Sequence, residues 1–566
     1  MIRDTRSALT LGLLAGALGC AGEHKDAAAT DSAAPVDTGE RPGDSADTDS
    51  GPDPDSGADS DSAPDTDPPD TADWAGPAGD CALSTDLATP WFLEGDTVRF
   101  TVRCTGDLAT EDARIQALSL PAGASFDEGA RDFQWETGPA DGGRISVVFS
   151  VTAADGAGVP TAETVTFWVA DNPAASDNVA VDPETYTEEW GLPVLHVDAV
   201  GTISQEYTRA DVTWQGAEYA GQIKIRGASS AYYPKPSYTL EFNDDELPIP
   251  AWGKTRNHLV LITTFDDNSY VRQKLVYDTW AAMADYWGVD RLTPRTFFVV
   301  VYLEGKYQGL YMAIDRIDDE YMDHMGFDRD ANLYKSVNHD ANFYLTGSSG
   351  GAKSTLHDGY TKEEGADESD FSDLDALVSF TGNATASALI DGADAWIDLE
   401  EFMDWFLLVH YTLSEDSAGK NAYLAHTEGG LFRYSPWDFN HSWGQGWYTN
   451  RVSSSKMNYF TSTNRVFWAL QSVSATNDAL WERFAALRED GPFSLAWQEA
   501  QIDAYYAEID PSAARDWDKW GSAYKSYSGW AGTRNAARDW TDYEGEKAYL
   551  TAWIEARYEL FEEAHP

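Results

Sequence analysis

The chain has 566 residues, with 39 Lys and Arg against 95 Asp and Glu, giving a formal charge of −56. A surface that acidic repels phosphate backbones and anionic headgroups, which excludes nucleic acid as a partner and membrane adhesion through basic patches. With 42% apolar residues, 22 Trp and 3 Cys, burial rather than disulfide stapling must hold the folded part together. No run of about 18 apolar residues is present to span a bilayer.

Arg3 and Arg6 precede an apolar run that ends at Cys20, the pattern of an export signal over residues 1–20. Ala17-Leu18-Gly19-Cys20 resembles a bacterial lipobox, which implies that Cys20 is lipidated and becomes the first mature residue. The membrane is then met only through a lipid anchor in the cell envelope. Ala21, rather than Asp, after the Cys favours the outer membrane or cell surface. Residues 21–80 carry 17 acidic and 2 basic side chains among Ser, Thr, Pro and Gly. Such a segment cannot bury enough apolar surface to offset its ordering entropy, so a disordered acidic linker is expected. Its Asp-rich stretch lacks the Gly-centred loop and terminal Glu of an EF-hand.

Residues 81–172 alternate in short runs (Val98–Val102, Ile145–Phe149, Val165–Val169) separated by Gly, Asp and Pro turns, which predicts a small all-β sandwich. The stretch from Leu120 to Gly158 resembles bacterial surface Ig-like domains. In an exported chain Cys81 and Cys104 are expected to pair within this unit.

The remaining residues, 185–566, mix helix and strand patterns. Gly221–Arg226 and Ser237–Phe242 read as strands joined by Gly227-Ala228-Ser229-Ser230. Backbone N–H groups at Ser229 and Ser230, with Arg226 and Lys235, could cradle a phosphate, and the same pattern also describes an ordinary hairpin with surface cations. Phe297–Leu303 and Gly309–Ile314 form a second hairpin. Phe402, Trp405, Phe406, Val409 and Leu413 recur at helical spacing, so a buried helix ends near Ser414. Asp416 and Asn421 follow, and then a hairpin turns at Glu428-Gly429-Gly430. Pairing centred on Gly429 places Lys420 opposite Asp438 and Asn421 opposite Trp437. Asp416, Asn421 and Asp438 then gather at the open end of one hairpin, giving oxygen ligands for a divalent cation and one acid free to accept a proton. Polar residues after a helix also commonly only cap and solvate it. The order Asp-x-x-x-x-Asn, hairpin, Asp is that of protein-kinase catalytic segments.

At these residues the chain resembles the CotH kinase family, through KIRGASSAYYPKPSYTLEF (224–242), DDNSYVRQKLVYDTW (266–280), VYLEGKYQGLYMAIDRID (301–318) and DSAGKNAYLAHTEGGLFRYSPWDFNHSWG (416–444). The resemblance implies an α+β fold: a diverged two-lobe kinase-like domain with a helical C-terminal part. It also implies an exported transferase using ATP and Mg²⁺ or Mn²⁺, phosphorylating Ser or Thr of an envelope or surface protein. By the same resemblance Asp416 is the catalytic acid/base, Asp438 and Asn421 are metal ligands, and Lys235 with Arg226 contacts nucleotide phosphates. Asn440 stands where relatives often carry a second metal-binding Asp. The helix over 269–285 has no Glu to pair with Lys235, leaving Asp315 or Asp278 for that role. Protein glutamylation or nucleotidyl transfer could use the same ligands, and a non-catalytic surface adhesin fits the tether and sandwich. His410 reads as a core residue and His441 as a structural one, and no zinc spacing is present.

Overall fold

A computed structural model describes residues 81–105, 113–153, 161–172, 180–242, 246–533 and 539–565. The export signal with Cys20 and the acidic linker 21–80 lie outside the described residues. Alternating apolar residues in β1 (Ala82–Thr85), β2 (Trp91–Leu93), β3 (Thr97–Thr105), β4 (Ala113–Ser119), β5 (Ser125–Asp127), β6 (Asp132–Glu136), β7 (Gly143–Ala153) and β8 (Thr161–Ala170) build two four-stranded sheets, ordered β1-β3-β6-β5 and β2-β8-β7-β4. Their inner faces share one core of Val98, Phe100, Phe133, Trp135, Phe149 and Phe167. Cys81 and Cys104 are joined by a disulfide in the β1–β3 pair.

A third, eight-stranded sheet follows, from β9 (Glu188–Glu189), β10 (Leu192–Ala199), β11 (Thr208–Trp214), β12 (Ala217–Arg226), β13 (Ser237–Phe242), β16 (His258–Thr263), β17 (Thr296–Leu303) and β18 (Lys306–Ile314). Its order is β11-β12-β13-β16-β18-β17-β10-β9, with β10 also pairing β11. The small ribbon of β14 (Leu247–Ile249) and β15 (Lys254–Arg256) stands beside it. Phe298, Val300, Met312 and Ile314 point to one face of the sheet, Phe297, Val299, Val301 and Ala313 to the other, and the two sets belong to different cores. That is why the Phe297–Leu303 run is apolar on both faces.

Helix α1 (Arg272–Trp287) packs into the first of these cores through Leu275, Val276, Trp280 and Met283. After α2 (Asp319–His324), a four-stranded sheet ordered β20-β19-β21-β22 comprises β19 (Asn332–Ser336), β20 (Tyr360–Glu364), β21 (Ala422–His426) and β22 (Arg433–Pro436). Helices α3 (Ser372–Asn383), α4 (Ala386–Asp391), α5 (Leu399–Thr412), α6 (Arg465–Ser472), α7 (Ser474–Glu489), α8 (Leu495–Ser526) and α9 (Tyr543–Ala564) complete a mixed α+β body that is helical towards its C-terminus.

Helix α8 reaches back over the large sheet. Arg515 forms an ion pair with Glu189 at 2.7 Å and donates to the Asp171 carbonyl at 2.5 Å. Glu189 also accepts from Tyr186 and Tyr302, both at 2.8 Å. One buried cluster therefore ties the end of β8, the edge strand β9 and α8 together. Beside it Glu94 is almost fully buried, and the Asn172 side chain donates to its carbonyl at 3.0 Å.

Candidate functional site at the end of the β21–β22 hairpin

Helix α5 is capped by Asp398, which accepts from the N–H groups of Glu400 and Glu401, and buries nearly every side chain. It stops at Leu413 in the left-handed region (φ 55°). A single helical turn at Asp416–Ala418 follows, and Asn421, again left-handed (φ 57°), hands the chain to β21. Ala422 pairs Pro436 and Ala425 pairs Arg433, the register centred on Gly429. The chain then leaves β22 through Asp438, which is also left-handed (φ 59°). Asn and Asp tolerate this conformation better than other residues with a β-carbon, and here two of them face each other. The Asn421 Nδ2 donates to the Asp438 main-chain carbonyl at 3.0 Å. From the other side the Asp438 N–H donates to the hydroxyl of buried Tyr277 at 3.1 Å.

Asp416 is held by two nitrogen groups, with His339 Nε2 at 3.2 Å from Oδ1 and Lys420 Nζ at 3.0 Å from Oδ2. Burial acts to raise its pKa, but the His339 and Lys420 contacts outweigh it and keep the carboxyl well below the usual range. Lys420 lies over the Trp447 ring at 5.4 Å, and the His441 ring meets the same indole at 5.3 Å. Trp447 and its neighbour Tyr448 are half exposed, so the half-buried Asp416 sits beside an aromatic rim.

The Asp438 carboxylate is exposed, and behind it lies an acid that the sequence reading did not single out. Asp266 is buried, and its pKa is pushed up to about 7, first by burial and then by the charges of Asp438 and Asp267. Asn440 Nδ2 donates to Asp266 Oδ2 at 2.6 Å, and the Tyr233 hydroxyl donates to the same oxygen at 3.2 Å. Among the described residues no three His, Cys, Asp or Glu side chains form a metal-holding group. The donors gathered here are instead the Asp438 and Asp266 carboxylates with the amide oxygen of Asn440. These all-oxygen donors fit a hard cation such as Mg²⁺. Asn421 contributes its amide nitrogen to the Asp438 peptide, so any metal contact from it would come from Oδ1.

Next to Trp437 the large sheet and the β19–β22 sheet border an open cleft. Lys224, Arg226, Arg316 and Lys335 line it, with Glu363, Glu364, Tyr207, Tyr423 and Trp437. Alternation along β12 explains half of this: Ile223 turns into the core, so Lys224 and Arg226 share the other face. Arg226 lies 4.9 Å over the Trp437 ring, immediately before Asp438. Lys224 lies 4.4 Å over Tyr207, and Lys335 lies 5.7 Å over Tyr423. The i, i+2 spacing of Lys224 and Arg226 was visible in the sequence. The contributions of Arg316 and Lys335, from other elements, were not.

Two assignments made from sequence need correcting. Lys235 does not reach the cleft. It is fully buried, and its ammonium donates to Asp516 Oδ1 at 2.6 Å, Thr264 Oγ1 at 2.8 Å and the Leu310 carbonyl at 2.5 Å. All three donors are thus engaged, leaving none for a phosphate. Gly309 makes the enclosure possible, because a β-carbon there would stand 2.2 Å from Asp516 Oδ1 and 3.0 Å from Lys235 Cε. The partner of Lys235 is therefore Asp516 on α8, not Asp315 or Asp278. Asp315 is fully buried between Arg256 (3.4 Å) and Arg295 (2.7 Å), and Asp278 pairs Lys274 at 3.1 Å. Ser229 is exposed and Ser230 is half-buried in the short turn after β12. His410 is a core residue whose pKa burial and the Arg557 charge push down to about 3.

A mixed sheet-and-helix body, with a cleft lined by four basic side chains next to the segment that carries Asp438, defines the class of molecule. The match to the family described as CotH kinase protein runs over residues 223–561, more than half of the chain, and the chain belongs to that family. It is similar to "Inner spore coat protein H" of Bacillus subtilis (strain 168), with 25% identity over 299 residues covering 52% of this chain and 78% of the relative.

Proposed function

We propose that the chain is an extracytoplasmic ATP- and Mg²⁺-dependent transferase that phosphorylates Ser or Thr of an envelope or surface protein. In this reading the eight-stranded sheet with α1 is one kinase-like lobe, and the four-stranded sheet with α3–α7 is the other. The N-terminal unit is an Ig-like spacer on a lipid-anchored, acidic linker. The observation that carries the proposal is that the Lys224, Arg226, Arg316 and Lys335 cleft is lined by Trp437, the residue immediately before Asp438 at the end of the β21–β22 hairpin. A cationic wall of that kind suits a polyphosphate inside a chain that is otherwise strongly acidic.

When bound, a divalent cation would spread the charge of the phosphates, with Asp438, Asp266 and the Asn440 oxygen to hold it. Lys224 and Arg226 orient the phosphate chain. Asp416, kept ionised by Lys420 and His339, holds an acceptor hydroxyl by hydrogen bond and takes its proton as the hydroxyl oxygen bonds to the γ-phosphorus of ATP and the bond from that phosphorus to the β–γ bridging oxygen breaks, releasing ADP. A carboxylate with so low a pKa is a weak base, so its main contribution is orientation. The coat-protein name of the Bacillus relative supports a surface location.

The test is labelled ATP with Mg²⁺ or Mn²⁺ on the exported chain, followed by product mass. A phosphate added to Ser or Thr, lost in Asp416→Asn and Asp438→Ala, is the expected result. A nucleotide or glutamyl mass would redirect the reading to those transfers. A second reading, a non-catalytic surface adhesin, is favoured by one observation: the lysine that the family resemblance assigns to phosphate is locked into the core. Failure to bind Mg²⁺-nucleotide would select it.

A further inference from the structure

Asp438 projects its carboxylate from a residue whose backbone is held in the left-handed region, and both of its peptide groups are gripped by side chains, one from the facing strand end of its own hairpin and one from helix α1. The carbonyl accepts from Asn421 at 3.0 Å, and the N–H donates to Tyr277 at 3.1 Å. Tyr277 is completely buried on α1 and donates its own hydroxyl to Gln273 Oε1, one turn earlier, at 2.6 Å. The hydroxyl therefore uses its single hydrogen on Gln273 and its oxygen on Asp438, which fixes its direction. The first turn of the same helix is anchored by Arg272, which contacts Asp267 at 2.6 Å, Glu546 at 2.5 Å and the Trp443 carbonyl at 3.4 Å. Helix α1 carries no Glu, and the buried Lys235, just before β13, pairs with α8 instead.

We infer that Tyr277, aimed by Gln273, is a positioning residue that couples helix α1 to the Asp438 carboxylate and sets the geometry in which that carboxylate meets a nucleotide-bound divalent cation. The inference rests on the transferase reading for its ligand and on the two hydrogen bonds for its mechanism. Without the hydroxyl the Asp438 N–H loses its partner, the left-handed turn is no longer clamped on both sides, and the carboxylate samples other directions.

The experiment uses the full chain and its Tyr277→Phe variant. Titration calorimetry of ATP with and without Mg²⁺ is combined with hydrogen exchange at the Asp438 amide. Affinity in the presence of Mg²⁺ should fall about tenfold, the effect of one buried hydrogen bond, while metal-free binding stays unchanged and the Asp438 amide exchanges faster. Gln273→Leu, which leaves the tyrosine in place but removes its acceptor, should produce a smaller shift in the same direction and serves as the readout if Tyr277→Phe fails to fold. Unchanged Mg²⁺-dependent affinity and unchanged exchange overturn the inference. So does an equal loss with and without metal, which would mark a general structural role. Asp438→Ala separates the two ideas. If it leaves Mg²⁺-dependent binding intact the transferase reading fails, whereas if it abolishes that binding while Tyr277→Phe does nothing, only the clamp fails.

Discussion

Two carboxylate–lysine pairs of this protein have opposite settings. Lys235 and Asp516 have side chains only 0% and 2% exposed, every donor of the lysine is engaged, and the partners come from the connection before β13 and from helix α8. Lys420 and Asp416 lie four residues apart with side chains 21% and 26% exposed, beside the half-exposed Trp447. An ion pair shut away from water fixes architecture, because neither member can change partner without a large desolvation cost. A pair at the rim can open towards a ligand at little cost. The comparison shows that charge type in a sequence does not distinguish the two, and that enclosure decides which one is available for chemistry.

The sharpest test breaks the two pairs separately. Lys235→Met leaves Asp516 buried without its cation and should destabilise the fold by about 3–5 kcal/mol, measured by urea unfolding, with much of the loss recovered in the double variant carrying Asp516→Leu. Asp416→Asn should cost no more than about 1 kcal/mol of stability, yet lower phosphotransfer by about 10²–10⁴-fold. If Asp416→Asn unfolds the chain, or Lys235→Met unfolds at wild-type denaturant, the distinction collapses.

A pH scan sharpens the contrast at the junction of the N-terminal sandwich. The Glu94 carboxyl is pushed up to about 7, first by burial and then by Asp171 and Asp141, working against the Asn172 N–H. The folded state holds the proton more tightly than the unfolded chain, so stability should fall as pH rises from about 4.5 to 7 and level off above. Glu94→Gln should flatten that slope in thermal melts. At the small end, Trp447→Ala removes only a rim contact and should change stability by no more than about 0.5 kcal/mol, with any effect confined to acceptor KM.

Much of the local structure was legible in the sequence. The Glu428-Gly429-Gly430 turn set the β21–β22 register, and helical spacing from Phe402 to Leu413 located α5 and its end, because turn chemistry and periodicity act over a few residues. The convergence of Asn421 with Asp438 followed from that register. The partner of Lys235 was not legible, since Asp516 lies 281 residues away and nothing local encodes the meeting. Asp266 was hidden inside a polar run that reads as a loop, and its role depends on Asn440 arriving from a residue separation of 174. Lys335 and Arg316 were silent for the same reason: a cleft made by two sheets assembles its charges in space.

The reach of α8 also imposes an order of events on the growing chain. A polypeptide delivered amino end first exposes Lys235 long before Asp516 follows it. Until then the eight-stranded sheet cannot close over a bare ammonium without leaving a charge stranded in apolar surroundings. The eight-stranded sheet must therefore wait for the last quarter of the sequence, and loss of the carboxyl-terminal helices would undo a sheet built from residues 188–314.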